Sequence, residues 1–328
     1  MVEQMPKTGM VIEGYGATVP ETIMTNADIV ESIKSHDGPD NITAEWIEKM
    51  TGIVERPHAK PEKGEDTASL AVAAGRLAIE KADIDPSTIN NLIVATSTSP
   101  KQLPVTYNRV QDELGLQKCF CFDLGAACSG FVHGMIVANG LLATGNDGDR
   151  TLVIGAETAD LITDQSDPDT APIFASGAGA MVLKRVDGSP SGILGKSSDN
   201  DGSRRHFFEA EHGGKIRMQG TKLAIAISRM VPELIKAALE NANIVAEDVD
   251  FVSMHQPNGR IIDIVNTRLG IAKEKIGRTI DRFGNTSAAT VPQNYAYFRD
   301  RGIIRPGQIV VFNGVAVGIG GSTIVTRI

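Results

Sequence analysis

The sequence predicts an α/β protein built from two copies of one α/β unit, packed as layers of helices and sheets. Short apolar runs of strand length alternate along the chain with segments of helical period, which is the pattern of α/β units. The same order of segments recurs in the second half. Two such units must bury their apolar faces together, so we expect helices between and outside two sheets, in the order α-β-α-β-α. We place the halves at residues 1–186 and 187–328.

The repeat can be followed segment by segment. In each half a helix precedes a short buried strand, a second helix ends in Leu-Gly, a strand enters a turn of small residues, and a helix and a strand close the unit. The corresponding segments are the first helices (67–81 and 222–240), the first strands (91–95 and 249–254), the Leu-Gly ends (Leu114-Gly115 and Leu269-Gly270), the strand-and-turn segments (120–128 and 279–286) and the closing strands (150–155 and 308–312). The polar, glycine-rich segment 197–217 interrupts the pattern, and we expect it to be a surface loop.

Composition and charge exclude several classes of protein. The chain has 328 residues, of which 41% are hydrophobic and 22% charged, and its net charge is −8. Charges of both signs are mixed without a block of like charge, so we expect contact with neither nucleic acid nor membrane. The first residues lack the pattern of a secretory signal, and no apolar run has the length of a membrane span. We therefore expect a cytoplasmic protein.

The cysteine pattern argues for a reducing compartment. The chain has three cysteines, an odd number, and no secretion signal accompanies them. Cys119 and Cys121 are spaced C-x-C, but no second pair of ligands with zinc spacing occurs. We expect both to be buried small side chains and predict no metal site.

Cys128 is the candidate nucleophile. It lies in a run of small residues (Asp123-Leu-Gly-Ala-Ala-Cys-Ser-Gly130) directly before the apolar stretch 131–142. This arrangement predicts a thiol at a helix N-terminus, where unpaired backbone N–H groups and the helix dipole favour the thiolate. The alternative is a buried thiol without chemical function.

His255 and Asn285 are the candidate partners of Cys128. His255 directly follows the strand 249–254, and Asn285 lies in the turn of the second half that roughly matches the turn of Cys128. Residues just beyond the carboxyl ends of strands tend to converge in one crevice, so we expect the three side chains to meet. Taken singly, His255 could be a hydrogen-bonded core histidine and Asn285 a helix N-cap.

The motifs around these residues resemble those of the β-ketoacyl-acyl-carrier-protein synthase III family, condensing enzymes with the thiolase fold. The three catalytic motifs are Ala126-Ala-Cys-Ser-Gly130, His255-Gln-Pro-Asn-Gly-Arg260 and Gly284-Asn-Thr-Ser-Ala-Ala289. Further similarities, in the same order along the chain, are Glu45-Trp-Ile, Thr51-Gly-Ile53, Ser176-Gly-Ala-Gly-Ala180 and Ile304-Arg-Pro-Gly307. The resemblance covers nearly the whole chain and implies a thiolase-like fold with two duplicated halves.

The resemblance also implies a reaction. Cys128 takes the acyl group of an acyl-CoA primer, malonyl-acyl carrier protein loses CO2, and the product is a 3-oxoacyl thioester on the carrier. His255 and Asn285 would stabilise the enolate, and backbone N–H groups near Cys128 and in the turn 314–318 would stabilise the tetrahedral oxyanion. The resemblance implies no metal or redox cofactor, since CoA and phosphopantetheine enter as substrates, and it implies a homodimer.

Several substrate-binding positions depart from the family pattern. Trp46 matches the residue that stacks on the adenine of CoA, but the arginine on the other side is replaced by Pro168, and a second basic position is Met50. Ala224-Ile225 replaces a Phe-Lys pair. Gly220 and Arg260 match positions that hold the phosphopantetheine arm, and Ala224 lines the tunnel.

The acyl pocket differs as well. Leu103 matches the bulky residue that lines this pocket from the partner subunit, and it is smaller than the usual Phe. These departures imply a primer other than acetyl: longer, branched, aromatic, or dicarboxylic such as glutaryl. The product would serve fatty-acid, biotin-precursor or secondary-metabolite synthesis.

Three other functions stay open. The first is acyl transfer to an alcohol or amine, which would leave the predicted enolate-stabilising role of Asn285 without purpose. The second is a non-decarboxylating synthase, which needs a carboxylate base near Cys128, with Glu157 the nearest candidate. The third is a catalytically silent partner subunit, against which the intact Cys, His and Asn set argues.

Overall fold

The structure is a computed structural model that describes residues 8–316 and 318–328. Residues 1–7, on which the prediction about a signal rests, lie outside the described residues. The helices are α1 (Asn26–Ser35), α2 (Ala44–Thr51), α3 (Thr67–Ala82), α4 (Thr106–Glu113), α5 (Gly130–Thr144), α6 (Gly220–Ala242), α7 (Gly259–Leu269), α8 (Ile280–Phe283) and α9 (Thr290–Asp300). The strands are β1 (Met10–Thr18), β2 (Ile23–Thr25), β3 (Glu55–Pro57), β4 (Asn91–Ala95), β5 (Phe120–Leu124), β6 (Arg150–Thr158), β7 (Ser176–Arg185), β8 (Gly192–Asn200), β9 (Phe208–Glu209), β10 (Arg217–Met218), β11 (Phe251–Met254), β12 (Ile309–Ala316) and β13 (Gly320–Arg327).

The two main sheets repeat one topology. The first has the order β1-β7-β6-β4-β5 and the second the order β8-β13-β12-β11. In the first sheet β4 runs parallel to β5 and β6, and β7 runs antiparallel to β6 and β1. In the second, β11 runs parallel to β12, and β13 runs antiparallel to β12 and β8. The order of elements predicted from the repeat is therefore present in both sheets, while the boundary at residues 186 and 187 stays a prediction.

The strand predicted at 279–286 is wrong, because the helix α8 occupies half of this segment. The counterpart of β5 is reduced to one parallel bridge between Val252 and Ile276. The buried Gln256 side chain explains the difference. Its amide donates to the Gly277 carbonyl at 2.7 Å and accepts the Thr279 N–H at 2.9 Å. These backbone groups are thus satisfied by a side chain, and no extended strand is needed to pair them.

Helices and sheets form the expected α-β-α-β-α layers. The middle layer contains α5 and α9, whose Phe131 and Tyr295 pack among strand residues of both sheets such as Val153 and Phe312. Helices α3 and α4 pack on the outer face of the first sheet, and α6 and α7 on the outer face of the second. Burial of apolar side chains on three separate surfaces supplies the main stabilisation of the fold.

The middle-layer helix α5 is apolar on all sides. Residues 127–144 are long and apolar enough to cross a membrane by length and composition, with a mean hydropathy of 1.3. Half of this segment is buried inside the protein, and its position between two sheets accounts for its composition. At Gly134 a side chain would come within 2.8 Å of Val153, so the glycine permits the close approach of α5 to β6.

Candidate active site

Two strained turns meet where the halves face each other. The 3₁₀ turn Ala127–Ser129 precedes α5, and its counterpart Ser287–Ala289 precedes α9. Their first residues are not glycine, yet both adopt left-handed backbone conformations, with φ of 44° at Ala127 and 51° at Ser287. Such a conformation costs about 1–2 kcal/mol per residue, so the surrounding packing must hold it.

The two turns also show which residues of the two halves correspond. Cys128 corresponds to Ala288 and not to Asn285, which lies three residues earlier along the chain. The catalytic candidates therefore do not occupy equivalent positions.

Cys128, His255 and Asn285 line one cavity of about 490 Å³. The cavity is also lined by Trp46, Gly220, Ala224 and Arg260, the other residues that sequence analysis assigned to substrate binding. Leu103 is not among the lining residues, and its side chain is 79% exposed. The cavity thus brings together all the predicted site residues except the one assigned to a partner subunit.

The thiol of Cys128 is not held as a thiolate, contrary to the prediction from its place before a helix. Cys128 is buried, and burial raises the pKa of its thiol to about 12, with the nearby Glu157 carboxylate adding to the rise. A hydrogen bond from Ser287 opposes this shift without reversing it. A helix dipole contributes typically about 0.3–1 kcal/mol, whereas desolvation can move a pKa by several units, so burial dominates here.

His255 is a buried neutral histidine at the end of β11. Its backbone N–H donates to the Asn313 carbonyl of the neighbouring β12 at 2.8 Å, which fixes the residue at the carboxyl end of the sheet. Burial lowers the pKa of the imidazole to about 3, against a weaker effect of a hydrogen bond with the Ser287 backbone. No group among the described residues pairs with Nδ1. This nitrogen is itself buried, while the residue as a whole lines the cavity.

Asn285 is fixed by its backbone and oriented by its side chain. Its N–H donates to the Ile173 carbonyl at 2.9 Å, and its carbonyl accepts the Ala175 N–H at 3.0 Å. Its Oδ1 accepts the Ser287 N–H at 2.9 Å. Since the amide oxygen is engaged, the Nδ2 donor is the group left to face the cavity.

Ser287 is a site residue that sequence analysis did not assign, and Glu157 is one that it named only for the alternative non-decarboxylating reaction. The Ser287 hydroxyl donates to Oε1 of Glu157 at 3.1 Å, and Glu157 is fully buried at the end of β6. Thr98 donates a further hydrogen bond of 2.6 Å to this carboxyl group. Burial raises the pKa of Glu157. The sequence signal was present in the Asn-Thr-Ser motif, but only the fold places its serine beside Cys128.

The segment predicted as a surface loop, 197–217, contributes to the cavity. Phe208 in β9 and Met218 in β10 line it, together with Phe174 and Ile173. The segment is therefore not a loop throughout, because the paired strands β9 and β10 supply residues that line the cavity.

The turn predicted to help form the oxyanion hole is only partly described. Gly314 lies in β12 close to Ser129, where a side chain would come within 2.9 Å of the Ser129 Cα. Val315 and Ala316 line the cavity, and Val317 lies outside the described residues.

The described residues contain no group of three His, Cys, Asp or Glu side chains that could hold a metal ion. Cys119 and Cys121 are half-buried, not buried as predicted, and their sulfur atoms lie 2.9 Å apart.

Comparison with known proteins agrees with the geometry of the cavity. The family model described as 3-oxoacyl-[acyl-carrier-protein] synthase III matches residues 122–202, and the model of the C-terminal part of this family matches residues 239–328. The β-ketoacyl-[acyl-carrier-protein] synthase III of Brucella melitensis is 38% identical over 97% of this chain and 98% of its own length. The enzyme of the same name from Erythrobacter litoralis is 36% identical over 94% and 95%.

Solved structures show the same fold. The 3-oxoacyl-[acyl-carrier-protein] synthase III of Aquifex aeolicus superposes with a TM-score of 0.91 at 32% identity, covering 98% of this chain and 100% of that one. The priming β-ketosynthase of the R1128 polyketide pathway gives a TM-score of 0.89 at 27% identity, covering 100% and 98%. The chain therefore belongs to the β-ketoacyl-acyl-carrier-protein synthase III family of condensing acyltransferases with the thiolase fold.

Proposed function

We propose that this protein joins an acyl primer to a malonyl unit held on acyl carrier protein, through an acyl group bound to Cys128, and releases a 3-oxoacyl-carrier protein. The observation that carries the proposal is the convergence of Cys128, His255 and Asn285 in one cavity, with the amide oxygen of Asn285 already engaged by Ser287. A nucleophile and two neutral donors are the groups that this condensation requires.

The first half-reaction forms the acyl-enzyme. The Cys128 sulfur attacks the thioester carbonyl, the thiol that held the acyl group leaves, and the Cys128 proton ends on the leaving sulfur. The neutral His255 ring can relay this proton, because its low pKa leaves one ring nitrogen unprotonated. The thiol of Cys128 must lose its proton during the attack, since burial disfavours a standing thiolate.

The second half-reaction makes the carbon–carbon bond. The malonyl thioester loses CO2, and the electron pair of the broken bond moves onto the thioester oxygen as an enolate. Asn285 donates from Nδ2 to that oxygen, and His255 donates to it from its ring N–H. The enolate carbon then attacks the acyl carbonyl, the carbon–sulfur bond to Cys128 breaks, and the cysteine thiolate takes up one proton from solvent. Each donor is worth about 10²–10³ in rate.

The lining of the cavity supports an apolar primer. The buried part of the lining includes aliphatic and aromatic side chains, among them Phe174, Leu223, Ile227 and Val315. The one lining cation that the structure describes is Arg260, an exposed residue in contact with Met50. A dicarboxylic primer such as glutaryl would find no cation among the buried lining residues that the structure describes, so we favour an uncharged acyl chain over a dicarboxylic one.

We also infer a homodimer in which Leu103 reaches the acyl pocket of the partner subunit. The support is the exposure of Leu103 at 79% in a chain whose own cavity it does not line. Light scattering of the purified protein tests the dimer. A monomer at micromolar concentration would contradict it.

Intact-mass measurement tests the reaction. The protein is mixed with acyl thioesters of different chains, and the mass gain on Cys128 is recorded before malonyl-carrier protein is added. We expect an adduct that disappears with release of CO2 and a 3-oxoacyl product. A stable adduct that never releases CO2 would contradict condensation and favour plain acyl transfer.

A further inference from the structure

A buried arginine in β3 is held by uncharged groups alone. Arg56 is fully buried and belongs to none of the ion pairs that the structure describes. Its Nη2 donates to Oδ1 of Asn26 at 2.7 Å and to the Pro172 carbonyl at 2.9 Å. Its Nη1 donates to the Met24 carbonyl at 3.3 Å, and its Nε has no partner among the described residues.

Burial of this guanidinium group opposes folding. Removing a charge from water is unfavourable unless an opposite charge compensates it, and a neutral donor could bond the same carbonyl oxygens. Burial lowers the pKa of Arg56 to about 10, against a weaker attraction by the Asp28 carboxylate, so the group is still charged at neutral pH. A local arrangement that disfavours folding in this way is typical of positions that serve a functional site.

The contact of Arg56 with Pro172 leads to Asn285. We call residues 172–175 the bridging segment. The Asn285 N–H donates to the Ile173 carbonyl of this segment, and the Asn285 carbonyl accepts the N–H of its last residue, at 2.9 and 3.0 Å. Arg56 bonds the carbonyl of the first residue, which directly precedes Ile173. The arginine therefore fixes the strand-like segment on which the backbone of Asn285 is aligned.

Arg56 also packs against the backbone that enters Asn285. Gly284 has a φ of 59°, and a Cβ atom at this position would lie 3.0 Å from the Cβ atom of Arg56. The absence of a side chain at Gly284 thus permits the close approach of β3 to the turn. Arg56 contacts both the segment beside Asn285 and the residue before it.

The other end of the bridging segment is fixed independently. The next residue, Ser176, donates from its hydroxyl to the buried carboxyl group of Asp160. The same carboxyl group accepts the Ala59 N–H at 3.0 Å. Because this end has its own contacts, loss of the Arg56 side chain should loosen mainly the end beside Ile173.

We infer that Arg56 is a positioning residue for Asn285 and holds its turn where the Nδ2 donor can reach the enolate oxygen. The inference rests on the proposed function, because the second half-reaction is the step that uses this donor. Cys128 lies in the other turn, at the start of α5, whereas the contacts of Arg56 lie with β2, α1, the bridging segment and Gly284. Arg56 should therefore affect decarboxylation and leave acylation almost unchanged.

Arg56→Met tests this role, because methionine removes the donors and keeps an unbranched apolar stem. Intact mass follows acylation of Cys128, and CO2 release after addition of malonyl-carrier protein to the acylated enzyme follows the second step. We expect CO2 release to fall about tenfold, since a displaced donor loses part of its effect, and acylation to change by less than about twofold. An equal loss in both steps would overturn the inference.

A double-mutant cycle separates positioning from general damage to the fold. Arg56→Met is repeated in the Asn285→Ala protein, which already lacks the donor. If Arg56 acts through Asn285, the second substitution should lower CO2 release there by less than about twofold. A further fall of about tenfold in this background would overturn the inference, because general damage acts whether or not the donor is present.

Arg56→Lys is the second variant, in case Arg56→Met does not fold. Lysine keeps the charge but donates from one nitrogen, whereas Arg56 donates from two. It should lower CO2 release about threefold with acylation unchanged. Wild-type rates in both steps would overturn the inference.

Arg150→Met is the matched control. Arg150 is the first residue of β6, and it bonds Glu13 through Nε at 2.6 Å and Nη2 at 3.1 Å. Its loss should lower stability without changing the ratio of the two rates, and the same change of ratio as in Arg56→Met would overturn the inference. A wild-type protein that takes up no acyl group would overturn the proposed function and this inference with it. A wild type that turns over normally, with additive losses in the cycle, would overturn the positioning role alone.

Discussion

The backbone N–H of Ser287 donates a hydrogen bond of 2.9 Å to Oδ1 of Asn285. This contact fixes the direction of a side-chain amide whose two ends are otherwise alike in shape. It leaves the Nδ2 donor for the cavity shared with Cys128 and His255. The left-handed backbone of Ser287, with φ of 51°, is part of the turn that aims this N–H back at Asn285. Local strain in the turn is thus linked to the donor that the second half-reaction requires.

Asn285→Ala should separate the two half-reactions. Loss of the Nδ2 donor should lower the rate of malonyl decarboxylation by about 10²–10³ while acylation of Cys128 changes little. Release of CO2 and the mass of the acyl-enzyme measure the two steps independently. Asn285→Asp is the second variant, because its carboxylate still accepts the Ser287 N–H but has no donor for an enolate. An equal loss of acylation and decarboxylation in Asn285→Ala would show that Asn285 does not act on the enolate.

The reactivity of Cys128 should rise steadily with pH. Burial raises the pKa of its thiol to about 12, so the thiolate fraction in the free enzyme should grow about tenfold per pH unit between pH 7 and 10. The rate of alkylation by iodoacetamide, followed by intact mass, should increase in the same proportion. A plateau below pH 8 would indicate a stabilised thiolate. Cys128→Ser identifies the labelling that belongs to Cys119 and Cys121.

Glu157→Gln should make Cys128 more reactive and the protein less stable. The carboxylate adds to the rise in the Cys128 pKa, so its removal should speed alkylation at pH 8 by a few fold. Thr98 and Ser287 both donate to Glu157, and the Ser97 N–H donates at 3.1 Å. An amide cannot accept all three bonds, so the free energy of unfolding should fall by about 1–3 kcal/mol.

The control for this variant is Glu13→Gln. Glu13 pairs with Arg150 and Lys184 and does not line the cavity. The Glu13→Gln variant should leave the alkylation rate of Cys128 unchanged. If both variants changed the rate equally, loss of stability would explain the effect and the charge of Glu157 would not.

The fold was predictable because the same pattern of helices and strands occurs twice in the sequence. The helical periods at 67–81 and 222–240 and the strands at 91–95 and 249–254 agree with the structure within about two residues at each end. The strand prediction at 279–286 was wrong because the local sequence does not show the hydrogen bonds that the distant Gln256 side chain makes with the backbone here. Gln256 bonds the Gly277 carbonyl and the Thr279 N–H. Tertiary contacts, and not the strand propensity of its residues, determine the conformation of that segment.

The site was predictable as a set of residues but not in its electrostatics. The repeat placed Cys128 and Asn285 in roughly matching turns and His255 directly after a strand, and the three residues line one cavity. Their pKa values depend on burial, which a local sequence motif does not contain, so the predicted thiolate was wrong. Ser287 was missed for a related reason, since its role depends on contacts with Asn285 and Glu157 that only the fold creates.

His255 should make the protein sensitive to mild acid. Burial lowers its folded-state pKa to about 3, below the ordinary value of 6.5. The unfolded chain therefore binds a proton first as the pH falls, and the stability that is fully present above pH 6.5 is lost by about 1.4 kcal/mol for each pH unit below it, until about pH 3. Buried His58, with a pKa lowered to about 4, acts in the same direction, whereas Asp160, with a pKa raised to about 6, acts against it.

Urea unfolding of the wild type and His255→Gln at pH 7.5 and 5.5 isolates this contribution, because the other titrating groups are common to both proteins. Relative to wild type, the variant should be more stable at pH 5.5 than at pH 7.5 by about 1.4 kcal/mol, one pH unit below the unfolded-state pKa. The difference in unfolding free energy between the two proteins at pH 7.5 alone can have either sign, since it depends on how well glutamine packs at position 255. A difference between the proteins that is the same at both pH values would mean that His255 takes up its proton in the folded protein, and that a neutral ring does not stand beside Cys128.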